Sequence, residues 1–161
     1  NLIEHELAVA SVADALAPFC SGMNVPDAPY VLELPNVLHL ASDITGVAAP
    51  GVSALKLAGE LHPTAAVCGT PTGQARDAIA ELENLDRGRY SGPVGWLDTR
   101  GDGEFAIALR SGLLHADDPR TMTIYAGCGI VAESDPAEEY AETEAKLLPL
   151  RQALGLDPIY P

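Results

Sequence analysis

Apolar residues at helical spacing open the chain. Leu2, Leu7, Val12 and Leu16 recur every four or five residues, and Pro18 predicts where this helix ends. No capping residue precedes the helix, and the first residue is Asn rather than Met. We therefore expect the natural protein to continue on the N-terminal side of this chain.

Blocks of alternating apolar residues, divided by turn-forming residues, predict the other elements. Gly, Pro and Asn predict a loop over 21–29, and Pro35 separates two strands. Strands are predicted at 30–34, 36–47, 91–99, 101–116 and 121–133, and helices at 53–63, at 72–86 and from an N-cap at Asp135 onward. Short turns join the last three strands, which favours an antiparallel meander. Strands and helices occur in blocks, so we expect an α+β fold with residues 1–161 in one domain.

Charge and cysteine content narrow the classes of function. The 161 residues carry 23 acidic and 9 basic side chains, a net charge of −14. Nucleic acids and anionic membranes are bound through Lys and Arg, so neither is an expected partner. No apolar run is long enough to predict a transmembrane helix. Cys20, Cys68 and Cys128 have no metal-ligand spacing, and they favour a reducing cytoplasm over a disulfide framework.

The last helix presents three charged residues on one face. Glu139, Glu142 and Lys146 are spaced i, i+3 and i+7. This spacing is typical of a solvated stripe with a weak Glu142–Lys146 pair. It also fits two carboxylates that hold Mg²⁺ beside a lysine that binds a ligand carboxylate. The preceding Gly127–Gly129 segment either lets backbone approach a ligand or forms a glycine bulge in a strand.

Three further residues have both a structural and a functional interpretation. Arg110 in an apolar strand is either a buried ion-pair partner or a two-pronged clamp for a carboxylate. His39 is either a core histidine or a residue of a binding pocket. The Glu4-His5-Glu6 sequence suggests a metal site but lacks HExxH spacing.

Taken together, these stretches resemble the chorismate-utilising enzymes, and among them most specifically the isochorismate synthases. The resemblance runs almost from end to end, through IEHEL, VLHLASDITG, HPTAAVCGTP, VGWLDTRGDGEFAIALRS and IYAGCGIVAESDPAEEYAETEAKL. The second-last stretch, with its tryptophan, distinguishes this group from anthranilate and aminodeoxychorismate synthases. Cys128 departs from the resemblance, because an alanine often stands between the two glycines.

The resemblance implies a metal and a set of substrate-binding residues. It implies that Glu4 and Glu142 ligate Mg²⁺, with Glu139 close by and acting through water. It implies that Arg110 and Tyr90 hold the carboxylate of the enolpyruvyl group of chorismate. The same resemblance implies that Lys146, Gly127 and Gly129 bind the ring carboxylate. It implies that His39 and the segment from Thr64 to Ala66 line the ring pocket.

The resemblance also implies a layered α/β sandwich of which this chain supplies roughly the C-terminal half. The general base and general acid that add water at C2 and release the C4 hydroxyl are expected outside this chain. The missing N-terminal half is therefore an expected partner, and the fragment alone is expected to be inactive. Two alternatives remain open: a salicylate synthase or other enzyme on the same scaffold, and a module that kept the fold but lost catalysis.

Overall fold

The computed structural model describes residues 2–34 and 37–156, which form a mixed arrangement of helices and strands. Within these residues the helices are α1 (Leu2–Leu16), α2 (Ala54–Leu61), α3 (Thr72–Leu82) and α4 (Pro136–Ala153). The strands in this part of the chain are β1 (Cys20–Asn24), β2 (Tyr30–Leu34), β3 (Val37–Ala41), β4 (Thr45–Ala48), β5 (Pro93–Leu97), β6 (Gly103–Ile107), β7 (Ser111–Leu114) and β8 (Met122–Tyr125). No helix among the described residues is both long and apolar enough to cross a membrane.

Contacts between Cα atoms divide the chain into two compact units. Unit 1 comprises the residues up to Asp86 together with Pro93–Ala106, and unit 2 comprises Arg87–Gly92 together with the residues from Ile107 onward. The prediction that residues 1–161 form a single domain stays a prediction.

The described residues of unit 1 form three two-stranded sheets and the helices α1, α2 and α3. Strands β2 and β3 are antiparallel and place His39 opposite Leu32, and β1 pairs antiparallel with β4. Strand β5 pairs with β6. Helix α2 begins at an N-cap, where the Ser53 hydroxyl accepts a hydrogen bond from the backbone N–H of Lys56. It contacts both α1 and β5.

Unit 2 consists of the antiparallel pair β7 and β8 and the helix α4, which contacts β8. The carboxylate of Asp135 accepts hydrogen bonds from the backbone N–H groups of Ala137 and Glu138, and Pro136 occupies the first turn. The predicted start of α4 is thereby confirmed. Helix α4 continues through Pro149 to Ala153.

Several predicted boundaries were wrong for identifiable reasons. Residues 20–24, predicted largely as loop, form β1, because Cys20, Ser21 and Asn24 pair with residues of β4. The predicted strand at 36–47 is divided into β3 and β4. The predicted strand at 101–116 is divided at Arg110, whose φ of 48° ends the extended conformation. The strand predicted at 121–133 ends at Tyr125. The predicted break at Pro35 lies outside the described residues.

The apolar faces of the strands are incompletely covered. Among the described residues no hydrophobic side chain is buried, and the buried residue is Ser91. Val94 and Trp96 on β5 are 59% and 58% exposed, and Leu114 on β7 is 54% exposed. Burial of apolar surface is the main favourable term in folding, so these faces require further covering surface to form a stable core.

Candidate functional site

The end of strand β8 brings together several of the predicted substrate-binding residues in unit 2. The ring of Tyr125 stacks on the ring of Tyr90, with a centroid distance of 5.1 Å and an interplanar angle of 15°. The Arg87 guanidinium lies 5.8 Å from the centroid of the Tyr90 ring. A Cβ atom added to Gly127 would lie 3.0 Å from the Tyr90 hydroxyl oxygen. The Tyr90 hydroxyl therefore lies close to the Gly127 backbone, and a larger residue there would crowd it.

Arg110 lies at a break between two strands rather than inside one. Its φ of 48° is rarely adopted by residues other than Gly, Asn and Asp, and costs about 1–3 kcal/mol. The backbone N–H of Ser91 donates to the Ala108 carbonyl oxygen at 3.0 Å, and that of Ala108 donates to the Gly92 carbonyl oxygen at 2.9 Å. These bonds hold the residues before Arg110 next to the segment that follows Tyr90. The side chain of Arg110 is exposed.

Helix α4 presents its charged face to the glycine segment. The Lys146 Nζ atom donates to the Gly127 carbonyl oxygen at 3.1 Å and lies 2.5 Å from a carboxylate oxygen of Glu142. The Lys146 side chain is 23% exposed and that of Glu142 is 45% exposed. The predicted Glu142–Lys146 pair is thus present, and Lys146 also connects α4 to Gly127. A lysine held in this way places one positive charge next to the Gly127 backbone.

Cys128 makes a second connection between the glycine segment and α4. The Thr143 hydroxyl donates to the Cys128 sulfur at 3.6 Å. Burial, opposed by the Thr143 hydrogen bond and reinforced by Glu139, raises the pKa of the Cys128 thiol. The thiol therefore keeps its proton at neutral pH and can donate to a neighbouring oxygen.

Glu139 is the acceptor of that thiol. Hydrogen bonds from the Ser134 hydroxyl and from the Cys128 thiol lower the pKa of Glu139, and the charge of Lys146 acts in the same direction. The carboxylate of Glu139 is therefore ionised at neutral pH.

The remaining predicted site residues lie in unit 1. Glu4 is on α1, where the neighbouring His5 is hydrogen bonded to the Ser42 hydroxyl at 2.8 Å. His39 is half-buried on β3, and Ala66 is exposed in the turn that follows α2. The hydroxyl oxygen of Thr64 is buried and has no hydrogen-bond partner among the described residues. The predicted pairing of Glu4 with Glu142 joins the two units and stays a prediction.

The chemistry of the acidic residues on α4 fits a hard cation. Carboxylate oxygens are preferred by Mg²⁺, which commonly takes one or two of them and completes its shell with water and ligand oxygens. Glu139 and Glu142 supply two such groups one helical turn apart. Across residues 2–34 and 37–156 no cluster of three or more His, Cys, Asp or Glu side chains is arranged to hold a metal ion. A cation here would thus depend on oxygens beyond those two carboxylates.

Two residues of this cluster were not singled out from the sequence. Tyr125 lies within the strand predicted at 121–133, and Ser134 lies between that strand and the predicted N-cap at Asp135. The Asp135-Pro136 helix start places Ser134 directly before the N-cap, and serine there commonly bonds to nearby groups. No pattern in the sequence pointed to the stacking of Tyr125 on a residue 35 positions earlier.

Comparison with known proteins places the chain in a family. Residues 1–155 match the chorismate-binding enzymes, and the chain belongs to that family. It is 44% identical to the isochorismate synthase DhbC of Bacillus subtilis over 160 residues, which is 99% of this chain and 39% of that protein. The chain therefore spans about two fifths of the length of this relative.

Solved structures agree with this membership. DhbC of Bacillus anthracis has a TM-score of 0.88 and 41% identity, over 97% of this chain and 41% of that one. MenF, the menaquinone-specific isochorismate synthase of Escherichia coli, has a TM-score of 0.79 and 32% identity, over 98% of this chain and 35% of that one. The predicted fold class, the mixed α/β fold of the chorismate-utilising enzymes, is confirmed, as is the family resemblance.

Proposed function

We propose that the intact polypeptide that carries this chain isomerises chorismate to isochorismate. The observation that carries the proposal is the likeness to DhbC, at 41% identity and a TM-score of 0.88. In the reaction, water adds to ring carbon C2, the double bonds shift, and the hydroxyl on C4 leaves as water. Substrate and product are isomers, so no oxidant or reductant is required.

Unit 2 supplies the positive and polar groups that a dicarboxylate requires. Chorismate carries two negative charges, whereas the chain as a whole has a charge of −14. Binding therefore depends on local cations, because the net negative charge of the chain repels a dianion. In this proposal Arg110 and Tyr90 hold the enolpyruvyl carboxylate, and Lys146 binds the ring carboxylate beside the backbone of Gly127 and Gly129.

A magnesium ion is part of the proposal. Glu142 and Glu139 would hold it on α4, and Glu4 is the further ligand that the family resemblance implies. The ion would neutralise part of the charge of the ring carboxylate. The lowered pKa of Glu139 favours such a role, because a metal ligand must be deprotonated.

The general base and acid belong, in this proposal, to a part of the protein outside residues 1–161. The chain spans about two fifths of its curated relative, and its strands expose apolar faces. The remaining part would cover these faces and complete the site. Removal of general acid or base catalysis typically costs about 10²- to 10⁴-fold each, so residues 1–161 alone should show no measurable turnover.

Lys146 provides a sharp test of the proposal. The intact protein is incubated with chorismate and Mg²⁺, and isochorismate and pyruvate are both quantified. We expect isochorismate without pyruvate, and a large loss of chorismate affinity in Lys146→Met. The matched control is Lys56→Met, because Lys56 also forms an i,i+4 pair, with Glu60, but on α2.

The outcomes separate the proposal from its rivals. Equal effects of the two lysine substitutions would contradict the role of Lys146 in binding. Pyruvate release by the wild type would favour a salicylate synthase. Absence of chorismate binding would favour a non-catalytic module of the same fold.

A further inference from the structure

The Tyr90 ring is held on more than one side. Tyr125 stacks on it at 5.1 Å and 15°, and the Arg87 guanidinium lies 5.8 Å from its centroid. Its hydroxyl oxygen lies close enough to Gly127 that a Cβ atom there would approach to 3.0 Å. A change in the χ1 angle of Tyr90 would therefore move the hydroxyl relative to the Gly127 backbone.

Tyr125 is itself fixed by the sheet. It is the last residue of β8 and pairs across the antiparallel ladder with Ser111, the residue after Arg110. Tyr125 is half-buried. Tyr125 therefore contacts Tyr90 through its ring. Its partner on the neighbouring strand is the residue that follows Arg110.

We propose that Tyr125 is a positioning residue, which stacks on Tyr90 so that the Tyr90 hydroxyl points at a carboxylate of the bound ligand. This inference rests on the proposed function, in which Tyr90 and Arg110 hold that carboxylate. If the Tyr90 side chain could change rotamer freely, its hydroxyl would point at the ligand carboxylate for only a fraction of the time. The apparent dissociation constant rises by the inverse of that fraction.

The experiment uses the intact protein with Tyr125→Leu and Tyr125→Phe. Leucine removes the stacking partner, and phenylalanine retains it. We expect Tyr125→Leu to raise KM for chorismate about 2- to 12-fold, the range that corresponds to the loss of one aromatic pair, with kcat nearly unchanged. Tyr125→Phe should restore the wild-type KM, because the ring is retained. If Tyr125→Leu does not fold, Tyr125→Met serves as the non-aromatic variant.

A double-mutant cycle with Tyr90→Phe separates positioning from a structural role. Tyr90→Phe keeps the stacked ring and removes the hydroxyl. If Tyr125 acts by orienting that hydroxyl, then Tyr125→Leu adds little to KM in the Tyr90→Phe background. A purely structural Tyr125 would give equal effects in both backgrounds, or a loss of kcat at unchanged KM, and either result overturns the inference.

The same measurements distinguish this inference from the proposed function. A wild-type protein that converts chorismate, with Tyr125→Leu at wild-type KM, overturns the positioning role alone. A wild-type protein that neither binds nor converts chorismate overturns both.

Discussion

Thr64→Val is expected to stabilise the protein while weakening substrate binding. A substitution that merely disturbs the fold would not produce these two opposite effects together. The Thr64 hydroxyl oxygen is buried without a hydrogen-bond partner among the described residues. An unsatisfied buried polar group costs about 1–3 kcal/mol. Valine has nearly the same shape and removes the group. Because the residue as a whole is only half-buried, we expect the gain in unfolding free energy to be about 1 kcal/mol.

The effect on binding follows from the proposed ring pocket. If the hydroxyl bonds to the substrate, its removal costs a typical net hydrogen bond of about 0.5–1.5 kcal/mol, or about 2- to 12-fold in Kd. Denaturant unfolding of the substrate-free protein gives the first quantity, and calorimetry with chorismate gives the second.

A matched control is available on β8. The Thr123 hydroxyl is 2.8 Å from the Nε2 atom of His115 and so has a partner. Thr123→Val should therefore give no stability gain and no change in Kd. A Thr64→Val protein that is less stable than wild type at unchanged Kd would refute the reasoning, because it would show that the hydroxyl bonds within the protein rather than to the substrate.

Three other predictions test individual residues. Arg110→Ala should weaken chorismate binding by about 2–5 kcal/mol if the charge pair is desolvated. Arg110→Lys should not restore binding, because lysine lacks the planar guanidinium group that donates two parallel hydrogen bonds. Wild-type kinetics in the lysine variant would contradict this role of Arg110. Cys128→Ala should weaken Mg²⁺ binding about 2- to 5-fold in calorimetry, because Glu139 loses a hydrogen-bond donor. Cys128→Ser should keep the wild-type affinity for Mg²⁺, because serine retains a donor. Equal Mg²⁺ affinity in both variants would contradict the role of the thiol. The lowered pKa of Glu139 should stabilise the wild type relative to Glu139→Gln above about pH 4.5, and this advantage should disappear as the pH falls through the lower folded pKa. An advantage that persists in strong acid would contradict the assignment.

The sequence predicted the elements whose signals are local. The start of α4 was predicted because Asp135 and Pro136 act within one turn of the chain. The first helix and strand β2 followed from periodicity in the same way. The Glu142–Lys146 pair was predicted from i,i+4 spacing and is present.

Features that depend on distant contacts were not predicted. Strand β1 forms because residues 20–24 pair with β4, and its glycine and asparagine content gave no sign of that partner. The break at Arg110 requires a positive φ that an apolar flanking sequence does not indicate. The stacking of Tyr125 on Tyr90 joins residues from different parts of unit 2 and left no periodic signal. The roles of the site residues came from the family resemblance and stay predictions.

The most direct test of the proposed activity is the product formed in ¹⁸O-labelled water. The intact protein is incubated with chorismate and Mg²⁺ in H₂¹⁸O, and the masses of the separated products are measured by mass spectrometry. A parallel sample contains EDTA. The proposal predicts isochorismate with one ¹⁸O atom, because the C2 hydroxyl comes from water, and predicts no product with EDTA. Unlabelled isochorismate, release of pyruvate, or unchanged chorismate would contradict it.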